Sequence, residues 1–281
     1  MTIWVHRYTL TPRRRLSAIA DAGPREGALL RIGDGFADLH PWPELGDLPL
    51  DVQLRMLARA EMTPQSAASV EFARIDGEAR ARGVSLFEGL TIPESHWPGA
   101  DPPDEFDTVK IKGVTRVPDH VRIRIDFNAT LTPAEFLDVV ETLPDDRIDF
   151  VEDPCAYDEQ TWMQLREVTG LRLALDRGVA PEGRGYDVLV HKPALRPDWP
   201  KTDREIVVTS YMDHPIGQFG AAYVAATHTT SARCGLMTHV LYEPDAFNER
   251  IDRDGARLLS PQGTGLGFDD LLENLPWKEL T

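Results

Sequence analysis

Short apolar runs that each end in a charged residue recur through the middle of this chain, at residues 108–112, 121–126, 148–152, 171–176 and 188–192. Runs of this length fit strands and are too short for ordinary helices. Helical patterns lie between some of them. Thr132-Pro133-Ala134-Glu135 is a capping box leading into Phe136, Val139, Val140 and Leu143 at helical spacing. Residues 158–170 form a second helix, with Asp158 as its cap and Gly170 as its stop. Strands and helices alternating in this way predict a parallel α/β sheet, and the number of strands favours closure into a (β/α) barrel.

Three of the crossovers are short. The connection 114–120 has seven residues, whereas parallel strands usually need a dozen or more, including a helix. Fully extended, it reaches roughly 23 to 25 Å, enough to return along a five-residue strand only as bare chain. The connection 177–187 is rich in Gly and Pro, and 193–205 contains Pro193, Pro197 and Pro200. Neither supports a normal helix.

Ahead of this region, residues 4–10 alternate as a strand, and residues 27–33 and 35–39 read as two strands joined at Gly33-Asp34-Gly35. Thr63 followed by Pro64 opens a helix carrying Ala67, Val70 and Ala73. A small α+β unit is thus expected over residues 1–88, the barrel over 89–250 and a tail over 251–281. In the tail, Phe268, Leu271, Leu272, Leu275 and Trp277 form an apolar series. Together with the α+β unit, it is expected to pack back and cover Val121, Ile123 and Ile125, which the bare crossovers leave without helices. Such cover predicts a monomer.

The 46 acidic residues against 30 basic ones give a net charge of −16, which repels phosphate backbones and anionic lipid. Nucleic acid and membranes are therefore poor partners for it. Only Cys155 and Cys234 are present, no apolar stretch approaches a membrane span, and the opening residues lack a secretory core. A cytoplasmic location is expected. Gly263-Thr264-Gly265-Leu266-Gly267 reads as a turn rather than a phosphate loop, Cys155 as a small buried residue, and none of the eight His as a metal ligand.

Residues two apart on a strand share a face. That groups Lys110 with Lys112, Arg124 with Asp126 and Asn128, Phe150 with Glu152, Ala174 with Asp176 and Val190 with Lys192. If these faces point inward, Lys112, Asp126, Glu152, Asp176 and Lys192 converge at the C-terminal mouth, where such barrels place their active sites. Three carboxylates from successive strands need a cation to coexist, and hard oxygen ligands suit Mg²⁺, with Mn²⁺ as the alternative. Mg²⁺ holding a substrate carboxylate would stabilise the enediolate formed when the adjacent carbon loses its proton. The accepting Lys must be neutral, and Lys110 is placed to favour that form of Lys112.

Lys110-Ile111-Lys112, Asp126-Phe127-Asn128, Glu152-Asp153-Pro154, Leu175-Asp176 and His191-Lys192-Pro193 resemble, in order, the Lys-x-Lys, Asp-x-Asn, Glu-x-Pro, metal-ligand Asp and Lys-Pro motifs of the enolase superfamily. Within it the chain is similar to the o-succinylbenzoate synthase family. This likeness rests on Arg124, on Phe150-Val151-Glu152-Asp153-Pro154-Cys155, on Thr209-Ser210, on Gly235-Leu236-Met237-Thr238 and on the run 35–43. The resemblance implies an α/β fold with an N-terminal α+β capping domain on a (β/α) barrel. It implies the dehydration of 2-succinyl-6-hydroxy-2,4-cyclohexadiene-1-carboxylate, a small-molecule carboxylate, in menaquinone biosynthesis. Asp126, Glu152 and Asp176 would be the metal ligands. Lys112 would shuttle the proton and Lys192 remain charged, with Lys110, Arg124, Asn128, Ser210 and Gly235 as substrate-binding or supporting residues. Arg177 follows Asp176 where the family usually carries Glu. Two other readings stand beside this one. One is an amino-acid or dipeptide racemase of the same superfamily, with Lys112 and Lys192 as opposed bases, and the other is a decayed barrel serving as a binding protein.

Overall fold

The computed structural model describes residues 2–16, 23–176, 182–228 and 232–281, so Arg177 lies outside the described residues. Strands β1 (Ile3–Leu10), β2 (Arg25–Ile32) and β3 (Gly35–Leu39) form an antiparallel sheet. The two-residue turn between β2 and β3 pairs Ile32 with Gly35 and needs the left-handed Gly33, at φ +60°. Helices α1 (Leu50–Ala58) and α2 (Pro64–Ala81) cover this sheet. Sequence reasoning supplied no α1. It buries Leu50, Leu54 and Leu57 against Ile3, Val5, Ala28, Leu30 and Leu39. The start of α2 is fixed by reciprocal bonds: Ser66 N donates to Thr63 Oγ1 at 3.1 Å, and Thr63 N donates to Ser66 Oγ at 2.9 Å. The helix lies so close to β3 that a Cβ on Gly35 would sit 1.8 Å from the Ala73 carbonyl oxygen.

The second unit is the expected parallel sheet. Strands β4 (Thr108–Lys112), β5 (Arg122–Asp126), β6 (Ile148–Glu152), β7 (Leu173–Leu175), β8 (Val188–His191) and β9 (Glu205–Val208) pair in sequence order. Two further segments close the ring without forming regular strands. Around residues 94–97, Lys110 N donates to Trp97 O at 2.8 Å on one side, and His96 N donates to Cys234 O at 2.8 Å on the other. Around residues 233–235, Gly235 N donates to Val208 O at 2.8 Å, which joins this segment to the end of β9. All the bridges concerned are parallel, so the ring has eight positions.

Crossover helices α3 (Pro133–Val140) and α4 (Glu159–Thr169) follow β5 and β6, with the Thr132/Glu135 capping box and the Asp158 and Gly170 caps as expected. A third helix, α5 (Pro215–Thr227), follows β9. No helix occurs among the described residues of 113–121, 176–187 or 192–204, which agrees with the three short crossovers. Inside the ring, Phe150, Ala174, Val188, Val190 and Val207 pack together.

The expected cover for Val121, Ile123 and Ile125 is corrected by this packing. These side chains are buried with Val117 from the bare β4–β5 connection and with Phe136, Trp162 and Leu165 from α3 and α4, and no tail residue belongs to that cluster. The two flanking helices suffice because both crowd over the same strands. The tail, with β10 (Arg253–Asp254), β11 (Arg257–Leu258), α6 (Asp269–Glu273) and β12 (Lys278–Glu279), packs elsewhere. Its β12 pairs antiparallel with β1, and Phe268 and Leu272 join Phe36, Phe87 and Phe219 in the core shared with the first unit.

One buried carboxylate ties tail and first unit together. Asp76 on α2 is fully buried; it accepts from Phe36 N at 2.8 Å, Leu266 N at 2.6 Å and Arg80 Nε at 2.6 Å. The Gly-rich segment 263–267 is a turn laid over it: a Cβ on Gly265 would meet Asp76 Oδ1 at 2.1 Å. Removing this carboxylate strands two buried N–H groups and takes from the buried Arg80 guanidinium one of its two carboxylate partners, the other being Asp269. Asp76→Ala should therefore lower stability by about 3 to 5 kcal/mol, read as a reduced midpoint in urea unfolding.

Candidate active site

Strand alternation carries Lys110 and Lys112 on β4, Asp126 on β5 and Glu152 on β6 inward at the C-terminal end of the barrel. Lys112 pairs in register with Asp126, and Asp126 with Glu152. Asp176 and Lys192 come directly after β7 and β8. All the sequence-predicted site residues except Glu152 and Arg124 line one cavity of about 350 Å³ at this mouth.

The charges interlock. Lys110 Nζ donates to both carboxylate oxygens of Glu152 at 2.6 Å and lies 3.3 Å from Asp126. Lys112 Nζ bonds Asp126, and Lys192 Nζ bonds Asp176. Asn128 donates to Asp126 Oδ1 from its backbone N at 2.8 Å and from Nδ2 at 2.9 Å, while Asp176 N donates to Asp153 Oδ1 at 3.1 Å. Asn128 at φ +53° and Asp153 at φ +43° hold left-handed backbone directly beyond β5 and β6, a strain that the surrounding bonds must sustain.

Burial works to raise the Asp126 carboxyl, but the ammonium groups of Lys112 and Lys110 outweigh it and hold it below the usual range. For Glu152 burial wins, aided by Asp126 and Asp176, and its carboxyl is pushed up to about 7 despite Lys110. Burial would lower the Lys110 ammonium, yet Glu152, Asp126 and Asp176 together raise it. Asp153 is raised by burial and then by Asp176, Glu152 and Asp126. The three lysines are not equivalent. The Lys112 side chain is 36% exposed against 15% for Lys110 and 15% for Lys192, which makes Lys112 the ammonium most open to an incoming molecule.

Asp126, Glu152 and Asp176 offer the hard oxygen donors that a divalent cation such as Mg²⁺ prefers. As the side chains stand, no three His, Cys, Asp or Glu among the described residues surround a common point. The lysine ammonium groups take the place of a cation as the neutralising charge. The donor set fits such an ion once those flexible side chains turn aside.

Arg124, expected as a substrate-binding or supporting residue, lies buried behind the cavity. It sits one inward position deeper on β5, because two residues on a strand separate it from Asp126 on the same face. Its guanidinium lies over the Phe150 ring; Nε donates to Asp149 at 2.7 Å and Nη1 donates to the Arg233 carbonyl at 2.6 Å. Ser210 and Gly235 do line the cavity, and Ser210 Oγ lies 2.5 Å from Thr238 Oγ1. Thr209, beside Ser210, lines it as well, and sequence reasoning missed His96 and the first unit's Arg14, Arg15 and Leu16. His96 sits in a ring segment with no strand pattern, and the others lie on a loop whose placement only the fold decides.

Residues 3–79 match the family model described as "O-succinylbenzoate synthase, N-terminal domain". An o-succinylbenzoate synthase from Bdellovibrio bacteriovorus is 35% identical over 319 aligned positions, which cover 97% of each chain. Among solved structures, the L-Ala-D/L-Glu epimerase from Bacillus subtilis superposes with a TM-score of 0.76 at 18% identity, covering 94% of this chain and 97% of that one. A dipeptide epimerase from Enterococcus faecalis, complexed with Mg and a dipeptide, gives a TM-score of 0.77 at 16% identity, with 95% and 98% covered. At those identities the structural likeness establishes the fold, and the near full-length relative establishes more. The chain belongs to the o-succinylbenzoate synthase family.

Proposed function

We propose that this chain is a Mg²⁺-dependent o-succinylbenzoate synthase that dehydrates 2-succinyl-6-hydroxy-2,4-cyclohexadiene-1-carboxylate to 2-succinylbenzoate in menaquinone biosynthesis. The proposal includes a cytoplasmic monomer with a cap over residues 1–88, a barrel over 89–250 and a tail over 251–281. The observation that carries it is a mouth with three carboxylates and two opposed lysines, in a chain matched along nearly its whole length by a synthase of this kind.

Asp126, Glu152 and Asp176 would hold the cation. Bound there, it supplies positive charge to a substrate carboxylate and so eases loss of the proton from the neighbouring carbon. Lys112, the most open ammonium, is the group to move that proton. In its neutral form it takes the proton from the carbon; as an ammonium it then returns a proton to the departing hydroxide, which leaves as water. Proton and hydroxyl departing from one face need a single shuttle. Lys192 follows β8, four ring positions from β4, and so stands opposite Lys112. Held charged beside Asp176, it stabilises the negative charge that spreads over the ring.

Lys112→Ala should lose about two to four orders of magnitude in turnover, measured by the absorbance change on aromatisation. Near-normal turnover in Lys112→Ala together with its loss in Lys192→Ala would exchange the two roles. Chelation should abolish activity, and calorimetric titration should show weaker Mg²⁺ binding to both Asp126→Asn and Glu152→Gln; unchanged affinity in both would remove these residues from the metal site.

The opposition of Lys112 and Lys192 also suits a second reading, racemisation of an amino-acid derivative by two bases. Incubation with a dipeptide in deuterated water separates the two. Label appearing at the chiral α-carbon at a rate matching or exceeding dehydration would favour the epimerase, and dehydration without such exchange favours the synthase.

A further inference from the structure

One polar group facing the cavity has no role in the reaction just described. His96, in the ring segment between β4 and residues 233–235, is 4% exposed and lines the cavity. Its Nδ1 lies 2.9 Å from Nη1 of Arg124. A guanidinium carries only donors, so Nδ1 must accept, and the single proton of the neutral ring resides on Nε2. Burial, followed by the charges of Arg124, Lys110 and Lys112, disfavours the imidazolium and keeps the ring neutral. The Nε2 edge turns toward Gly235: a Cβ there would lie 2.9 Å from His96 Cε1 and 3.1 Å from Nε2. Glycine at that position leaves the N–H edge open. Nε2 has no hydrogen-bond partner among the described residues.

The Nε2–H stands at the cavity wall, where a bound molecule whose oxygen replaces water gains a directional hydrogen bond. We propose that His96 is a substrate-positioning residue whose Nε2–H donates a hydrogen bond to a carboxylate or ketone oxygen of the bound substrate, with Arg124 fixing the tautomer that makes this possible. The role rests on the dehydration reading above, since that substrate carries two carboxylates and a ketone. A neutral donor fits beside the proton shuttle, because it grips an oxygen without offering a second labile acid. Arg124, withdrawn from direct contact, then acts on the substrate through the imidazole.

Two measurements decide it. With the cyclohexadiene carboxylate as substrate, His96→Leu should raise KM roughly tenfold or more with a much smaller change in kcat. His96→Gln, which restores an amide N–H of similar reach, should recover most of the loss. In the wild-type protein, ¹⁵N NMR of the ring should show unprotonated Nδ1 and protonated Nε2, with the Nε2 signal shifting when 2-succinylbenzoate is added. An Nδ1-protonated ring, or an Nε2 signal that ignores the product, overturns the proposal even if His96→Leu does not fold. Unchanged KM in His96→Leu beside an active wild type overturns it too and leaves the dehydration reading standing. A wild type with no turnover removes the dehydration reading itself, and this role with it.

Discussion

The register of three parallel strands holds the mouth of this barrel together. Lys112 faces Asp126 across the β4–β5 ladder and Asp126 faces Glu152 across the next, so opposite and like charges are brought together by backbone hydrogen bonds that know nothing of charge. Carboxylates buried to this degree are tolerable only when paired. Lys110 and Lys112 supply that pairing from one strand, and Lys192 supplies it for Asp176. A slip of one residue in β5 would turn Asp126 outward among the apolar side chains of α3 and bring Ile125 into the mouth. The apolar faces outside and the ion pairs inside therefore specify the same register, each penalising the errors the other would permit.

Much of this was readable in the residues because the signals were local. Strand β4 and strand β6 occupy the spans that the apolar runs mark, and the capping boxes at Thr63 and Thr132 start their helices where the sequence places them. The inward set followed from alternation alone, since period two is the one property a short strand cannot escape. What escaped notice lacked periodicity. Helix α5 is buried on nearly every side, between the sheet of the first unit and the barrel, so it shows no apolar stripe to distinguish it from an apolar loop. The segments at 94–97 and 233–235 contribute a few bridging residues each, and Glu94-Ser95-His96-Trp97 carries no strand-like alternation.

Arg124 shows a different limit. Alternation gave its face correctly, but depth along a strand decides whether an inward side chain reaches the cavity or stays in the packed interior. Two residues, roughly 7 Å of strand, separate Asp126 at the mouth from a guanidinium enclosed by Asp149, Phe150 and the Arg233 carbonyl. The tail shows the same limit at larger scale. Its apolar series was recognised as a packing surface, yet the sequence holds no mark of which surface it meets, and β12 meets β1 rather than the outer faces of β4 and β5.

The seam that closes the ring has a consequence for how the molecule assembles. From β4 to β9 each strand pairs with its neighbour in sequence, but the bridge between Ser95 and Cys234 joins residues that almost the whole barrel separates. Its loop-closure entropy is the largest in the ring, and few hydrogen bonds offset it, so contact order places its formation after the consecutive strands have paired. His96 and Gly235 stand on the two sides of this seam. A partly folded chain can already carry its lysines and carboxylates in register, but the wall of its cavity is completed only when the ends of the barrel meet.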